Sequence, residues 1–321
     1  MYILAFETSC DDTSVAVMHD DRCIGLSTHT QLEHSRTGGV VPEVAARIHA
    51  NSIFTCIEEA CEMAHISLAE IDRIACTNHP WLLPSLLTGM TVAKCLSLTL
   101  KKPLDWIDHI EGHIFANYLE REKKDIPFPN IVLTVSWWHT ELYIWKSMYE
   151  LECIGQTLDD AAWEAFDKVA KLLGLGFPGG AKIAKLAGEY RRTYRWLFPV
   201  VLLENDSLDF SFSWLKTAIK QEIDRRGTLS EDDIREIAYE CEEAIIRILT
   251  EKLFRASRIY NIGHLALAWW VSANVKLRER LSLRAGTEWA SFLAPIKNIY
   301  SQDNAAMIGI RAYYENLRSN T

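Results

Sequence analysis

Two histidines four residues apart, His109 and His113 in the stretch HIEGH, are the first pair able to do chemistry. Positions i and i+4 of a helix share one face, so both imidazoles can reach one metal ion. The same spacing also occurs in helices that hold no ligand. Glu111 stands about 200° round such a helix from His109 and faces away, which separates the stretch from the HExxH protease pattern. A third ligand has to come from elsewhere, and Asp303 in SQDNAAM is a candidate. A second group is Glu7-Thr-Ser-Cys-Asp11-Asp12-Thr13, with hydroxyls and carboxylates in a short turn. Such a turn can offer N–H groups to an anion and a carboxylate to a nucleophile, or be an ordinary polar hairpin turn. Asp167 in EAFDK is followed by Gly179-Gly180 in FPGG, which permits close backbone approach to a ligand or merely ends a helix. Ser272-Ala-Asn274 stands at a strand-to-helix corner that can meet phosphate or ribose, or simply cap the helix.

These groups need elements to hold them. Apolar alternation predicts strands at 2–7 and 14–19 around the first turn, and at 130–135 and 141–146 around a second. Further strands are expected at 71–77, 101–108 and 264–268. Helical spacing marks 43–66, 85–100, 109–120, 159–174, 180–190, 214–226, 230–260, 272–284 and the stretch from 304. The chain thus opens twice with a hairpin followed by helices, an α/β pattern of two similar halves. The charged, Pro-containing REKKDIPFPN is the expected boundary. It gives a first subdomain over 1–125, joined by the C-terminal helix 304–321, and a second over 126–303.

Composition narrows the class. At 321 residues, 49% hydrophobic and 24% charged, the chain is ordinary for a globular protein. Its net charge of −9 excludes a general electrostatic grip on nucleic acid, so any such contact needs a local basic patch. Arg191, Arg192, Arg195, Arg225 and Arg226 are candidates. Eight cysteines show no CxxC pair or disulfide framework, which points to reduced thiols and the cytoplasm. No membrane span is expected.

Nine motifs in order carry a resemblance that covers residues 1 to about 315: FETSCDDT, GGVVPEVAAR, HIEGH, VSWWHT, DDAAWEAFDKVAKLLGL, FPGG, LDFSFSWLKTA, VSAN and QDNAAM. The chain resembles the tRNA N6-adenosine threonylcarbamoyltransferase family, once described as O-sialoglycoprotein endopeptidases. The resemblance implies the actin-like ATPase and sugar-kinase superfold, with two related α/β subdomains and a nucleotide in a central cleft. It implies transfer of a threonylcarbamoyl group from threonylcarbamoyl-adenylate to N6 of the tRNA adenosine beside the anticodon. It makes His109, His113 and Asp303 ligands of one metal, iron or zinc. It puts Thr134, Val135, Ser136, Trp137, Trp138, Asp167, Gly180 and Asn274 along the adenylate, and Asp11 in the place of an active-site carboxylate. The implied partners are tRNA, a smaller paralogous subunit and a P-loop ATPase.

Seven positions depart from that family in one way. Trp81, Trp137, Trp138, Trp163, Trp214, Trp269 and Trp270 stand where the family has glycine. The chain has 15 glycines, where ordinary usage near 7% gives roughly 22. Glycine serves where φ is positive or backbone must touch ligand, so indoles there are expected to strain the chain or fill the nucleotide turns. The expectation is a blocked nucleotide site, doubtful nucleotide binding and strongly impaired activity. The alternative is a noncatalytic scaffold that keeps its partner surface.

Overall fold

In the computed structural model, the described residues are 1–31, 34, 39–136, 138–176, 179–191, 193–198 and 206–319. They fall into two compact units, Met1–Pro127 with Ala294–Thr321, and Phe128–Leu293.

The first unit is built on a five-stranded sheet: β1 (Tyr2–Glu7), β2 (Asp12–His19), β3 (Arg22–Thr30), β4 (Arg73–His79) and β5 (Leu104–Asp108). Its order is β3-β2-β1-β4-β5. β1 and β2 form the expected hairpin, with Phe6 opposite Val15 and Glu7 opposite Ser14, while β4 runs parallel to β1 and β5. Side chains alternate across a strand. Leu4, Phe6, Val15 and Val17 therefore pack with Ile53, Ile57 and Ala60 of α1 (Pro42–Ala64). The alternate residues Ala5 and Met18 meet Gly309 of α9 (Ala305–Ser319), where an added Cβ would come within 2.4 Å of Met18. Helices cover both faces of the sheet, and β1 accordingly reads as a continuous apolar run. α2 (Leu83–Leu100) packs on α1 and β4, and α3 (His109–Phe115) packs on α9.

The second unit repeats the first strand for strand. β6 (Asn130–Val135), β7 (Thr140–Ser147), β8 (Glu150–Gln156), β9 (His264–Ala268) and β10 (Ser291–Leu293) stand in the order β10-β9-β6-β7-β8. The β6–β7 hairpin answers β1–β2, and β9 lies parallel to β6 as β4 does to β1. Its helices are α4 (Ala162–Leu172), α5 (Gly180–Glu189), α6 (Ser213–Arg226), α7 (Glu231–Tyr260) and α8 (Val275–Thr287). The long α7 is the centre of this unit, buried against α5, β6 and β9.

The structure corrects several expectations. β3, β8 and β10 were not anticipated. The helix expected over 109–120 ends at Phe115 and continues as a single 3-10 turn through Tyr118. Among the described residues one helix, α2, is long and apolar enough to cross a membrane by length and composition alone. No disulfide joins the eight cysteines. Three of the arginines expected as candidates for a basic patch are tied into acidic groups: Arg195 pairs with Glu236, Arg225 with Glu222, and Arg226 with Glu222, Asp233 and Glu236. Arg192 lies outside the described residues.

Candidate metal site and flanking turns

β5 ends at Asp108, whose carboxylate caps α3 by accepting from the Glu111 N–H at 2.9 Å. That cap starts a helix at His109 and stacks His109 and His113 on one buried face. Glu111 points to Arg311 on α9, away from the histidines as its helical angle requires. Asp303, just before α9, completes a group of three possible metal ligands, all buried. His113 Nε2 lies 3.0 Å from Asp303 Oδ1 and 3.1 Å from His109 Nε2, and His109 Nε2 lies 3.6 Å from Asp303 Oδ1. Donors held tetrahedrally at about 2.1 Å from a zinc-like ion would stand roughly 3.4 Å apart, so this spacing fits a metal with an open fourth position.

Burial and the neighbouring His109 push the His113 imidazole down to about 4, which keeps it neutral as a ligand must be. Burial works against charge on His109 too, but Glu7 and Asp303 outweigh it and raise this ring above its ordinary value. Glu7 ends β1 and is wholly buried. Its Oε2 stands 3.0 Å from His109 Nδ1 and accepts from the Thr77 hydroxyl of β4, and its Oε1 accepts from the Ser9 N–H at 2.6 Å. Ser9 Oγ is 3.2 Å from the same His109 nitrogen.

The Thr8–Asp11 turn is thus joined to the histidines through Ser9. It is braced on its other side as well: His49 Nε2 lies 3.0 Å from the Cys10 carbonyl, and the Gln31 N–H donates to Asp11 O at 3.1 Å. α2 approaches at Gly89, where a Cβ would come within 2.4 Å of Thr8 Oγ1. Burial, then Asp303, raises the Asp11 carboxyl above its ordinary value; the same two causes lift Asp12 to about 8.

The remaining expected residues all belong to the second unit. Thr134 and Val135 end β6 and are buried. Ser136 closes the turn on itself, its Oγ accepting from the N–H groups of Trp138 and His139 at 3.3 and 3.0 Å. Asp167 Oδ1 accepts from the Gly179 N–H at 2.6 Å, which brings it to Gly180 at the start of α5. Asn274 caps α8, its Oδ1 accepting from Leu277 at 2.9 Å, with its Nδ2 on Glu242 of α7. These turns follow the carboxyl ends of the parallel strands β6 and β9 or open helices, the places where α/β sheets bind ligands.

The indoles behave unevenly. Trp81 and Trp269 have positive φ, 120° and 75°. Trp81 stands edge-on to the His109 ring at 5.9 Å, and the buried Trp269 stacks on His139 at 6.2 Å. Trp163 and Trp214 lie in the first turns of α4 and α6 at ordinary helical backbone, which corrects the expectation of strain there. Trp163 instead crowds Gly180, where a Cβ would meet its Cζ2 at 2.4 Å. Trp138 is exposed, and Trp270 lies in a 3-10 turn. Trp137 and the Phe177-Pro178 pair lie outside the described residues. Sequence reasoning missed Trp196 and Trp289, which also have positive φ. It missed the contact of Glu7 with His109 too, although it had singled out the turn that Glu7 opens.

The family model described as TsaD, tRNA N6-adenosine threonylcarbamoyltransferase, matches residues 22–310. The chain belongs to this family. It is 41% identical over 317 residues to the tRNA N6-adenosine threonylcarbamoyltransferase of Thermosipho africanus, covering 98% of this chain and 94% of that one. It is 43% identical over 316 residues to that of Staphylococcus haemolyticus, covering 97% and 90%. Among solved structures it is similar to full-length HypF in a phosphate- and nucleotide-bound form, at 13% identity and TM-score 0.64, spanning all of this chain but 47% of HypF. A ROK family protein from Streptococcus pneumoniae solved with sucrose matches with TM-score 0.52 at 12% identity, each chain covered fully. At these identities the structural likenesses show the fold, the actin-like ATPase and sugar-kinase type, and the family gives the function its name carries, threonylcarbamoyl modification of tRNA adenosine.

Proposed function

We propose that this protein transfers the threonylcarbamoyl group from threonylcarbamoyl-adenylate to N6 of the tRNA adenosine beside the anticodon. The observation that carries the reading is the buried His109–His113–Asp303 group joined through Ser9 to the turn of Asp11, in a chain of this family. The N6 amine attacks the carbamoyl carbon, the bond from that carbon to the phosphate oxygen breaks, and AMP leaves. His109, His113 and Asp303 would hold a divalent metal, iron or zinc, which when bound would supply Lewis-acid polarisation. Asp11 takes the proton released by N6; its raised carboxyl makes it a stronger base than an exposed aspartate. Thr134, Val135, Ser136, Trp137, Trp138, Asp167, Gly180 and Asn274 line the adenylate. The work takes place in the cytoplasm on tRNA, with a P-loop ATPase and a smaller paralogous subunit. The exposed apolar side chains Phe54 of α1 and Leu83, Leu87 and Leu98 of α2 offer that subunit a surface.

A second reading concerns efficiency, and Trp163 favours it. Its ring occupies the space over Gly180, where the adenylate would need backbone contact. We infer impaired nucleotide binding and activity, with a noncatalytic scaffold as the limiting case. A thermal melt of the purified protein with and without AMP or ATP, run beside an assay for modified tRNA, separates the two. A nucleotide at 100 times its Kd adds about 2.7 kcal/mol. A shift of that size with turnover upholds full transfer activity. A cooperative melt with neither shift nor turnover upholds obstruction.

A further inference from the structure

We propose that Glu7 is the positioning residue of the metal centre: its carboxylate holds the proton of His109 on Nδ1 and so commits Nε2 of that ring to the metal. The proposal rests on the reading of His109, His113 and Asp303 as ligands. Glu7 has no exposed surface, and three groups face its oxygens: the Ser9 N–H, the Thr77 hydroxyl and His109 Nδ1. An ionised carboxylate only accepts. The 3.0 Å contact with His109 therefore requires a proton on Nδ1. A neutral imidazole carries one N–H, so the lone pair is left on Nε2. That is the nitrogen 3.1 Å from His113 Nε2 and 3.6 Å from Asp303 Oδ1.

Thr77 and Ser9 belong to β4 and to the turn after β1, so the carboxylate is pinned by the sheet and the ring is aimed by it.

The test uses the full chain labelled with 15N-histidine and loaded with zinc. Long-range proton–nitrogen spectra should show His109 metal-bound at Nε2, with a downfield Nδ1–H that moves upfield in Glu7→Gln. Competition against a chromophoric chelator should show zinc binding weakened 10- to 100-fold in Glu7→Gln, while the metal-free variant still melts cooperatively. Ligation of His109 through Nδ1, or equal zinc affinity in a folded Glu7→Gln, overturns the proposal. If Glu7→Gln does not fold, the spectrum of the unsubstituted protein decides. If the unsubstituted protein binds zinc no better than His109→Ala, the metal reading itself fails and the role of Glu7 falls with it.

Discussion

His113 shows how one side chain is prepared for its work. Burial holds its ring neutral, and Asp303 stands 3.0 Å from its Nε2. Replacing His113 with alanine removes one of three donors, so zinc that survives gel filtration in the parent should be lost from the variant, as elemental analysis will show. Lys252 is a different case, a buried amine on α7 that burial and then Arg255 lower to about 8. Its ordinary value is 10.5, so between these two values the unfolded chain binds the proton more tightly. Stability attributable to Lys252 is present above 10.5 and is lost as pH falls through 8. Lys252→Met should therefore be more stable than the parent at neutral pH, with the difference shrinking under alkali; denaturant unfolding that finds the variant weaker at neutral pH sinks the idea. The two histidines were legible in sequence because helical period alone puts them together. Asp303 lies 190 residues from His113, so it could be raised as a candidate but no local period tied it to the pair. The Glu7 contact was not legible, because it depends on how β1 registers against β4 and where α3 begins.

Among the elements, turns rather than helices or strands carry the strain. Positive φ falls on Asp20, His65, Trp81, Lys101, Glu120, Trp196, Asn261, Trp269 and Trp289, several of them at helix ends where glycine is usual. An L residue there costs roughly 1–2 kcal/mol. Trp289 is 97% exposed, so Trp289→Gly forfeits no packing and should gain about 1 kcal/mol in a denaturant titration. Trp269 has the same backbone problem but is 2% exposed, and removing a buried indole costs about 3–5 kcal/mol. Trp269→Gly should therefore be net destabilised despite its relieved backbone. Trp163→Gly is the variant that clears Gly180, and it should raise AMP affinity in a thermal-shift titration; unchanged affinity would show that this indole is no obstruction. These tryptophans thus meet two distinct constraints. At 81 and 269 the backbone has positive φ, while at 163 only the space over Gly180 is at stake. Sequence could not separate these, since both read there as the same kind of residue. The missed strands have a local reason: β8 is mostly exposed and β10 has three residues, so neither shows a clear apolar alternation.

Across the chain, the doubled hairpin was legible because each half opens with the same strand, polar turn and strand. The matching order of the two sheets confirms it. What the pattern hid was membership: residues 294–303, with Asp303 among them, pack in the first unit. α9 lies across β1 and β2, burying Ile308, Ile310 and Ala312. During synthesis, residues 128–293 are complete while the sheet begun at Tyr2 still lacks that cover. The emerging protein must hold an open apolar sheet through the making of an entire second unit. Asp303, the residue that joins His109 and His113, is delivered by the segment that closes that sheet, so the three come together only after the second unit has been made.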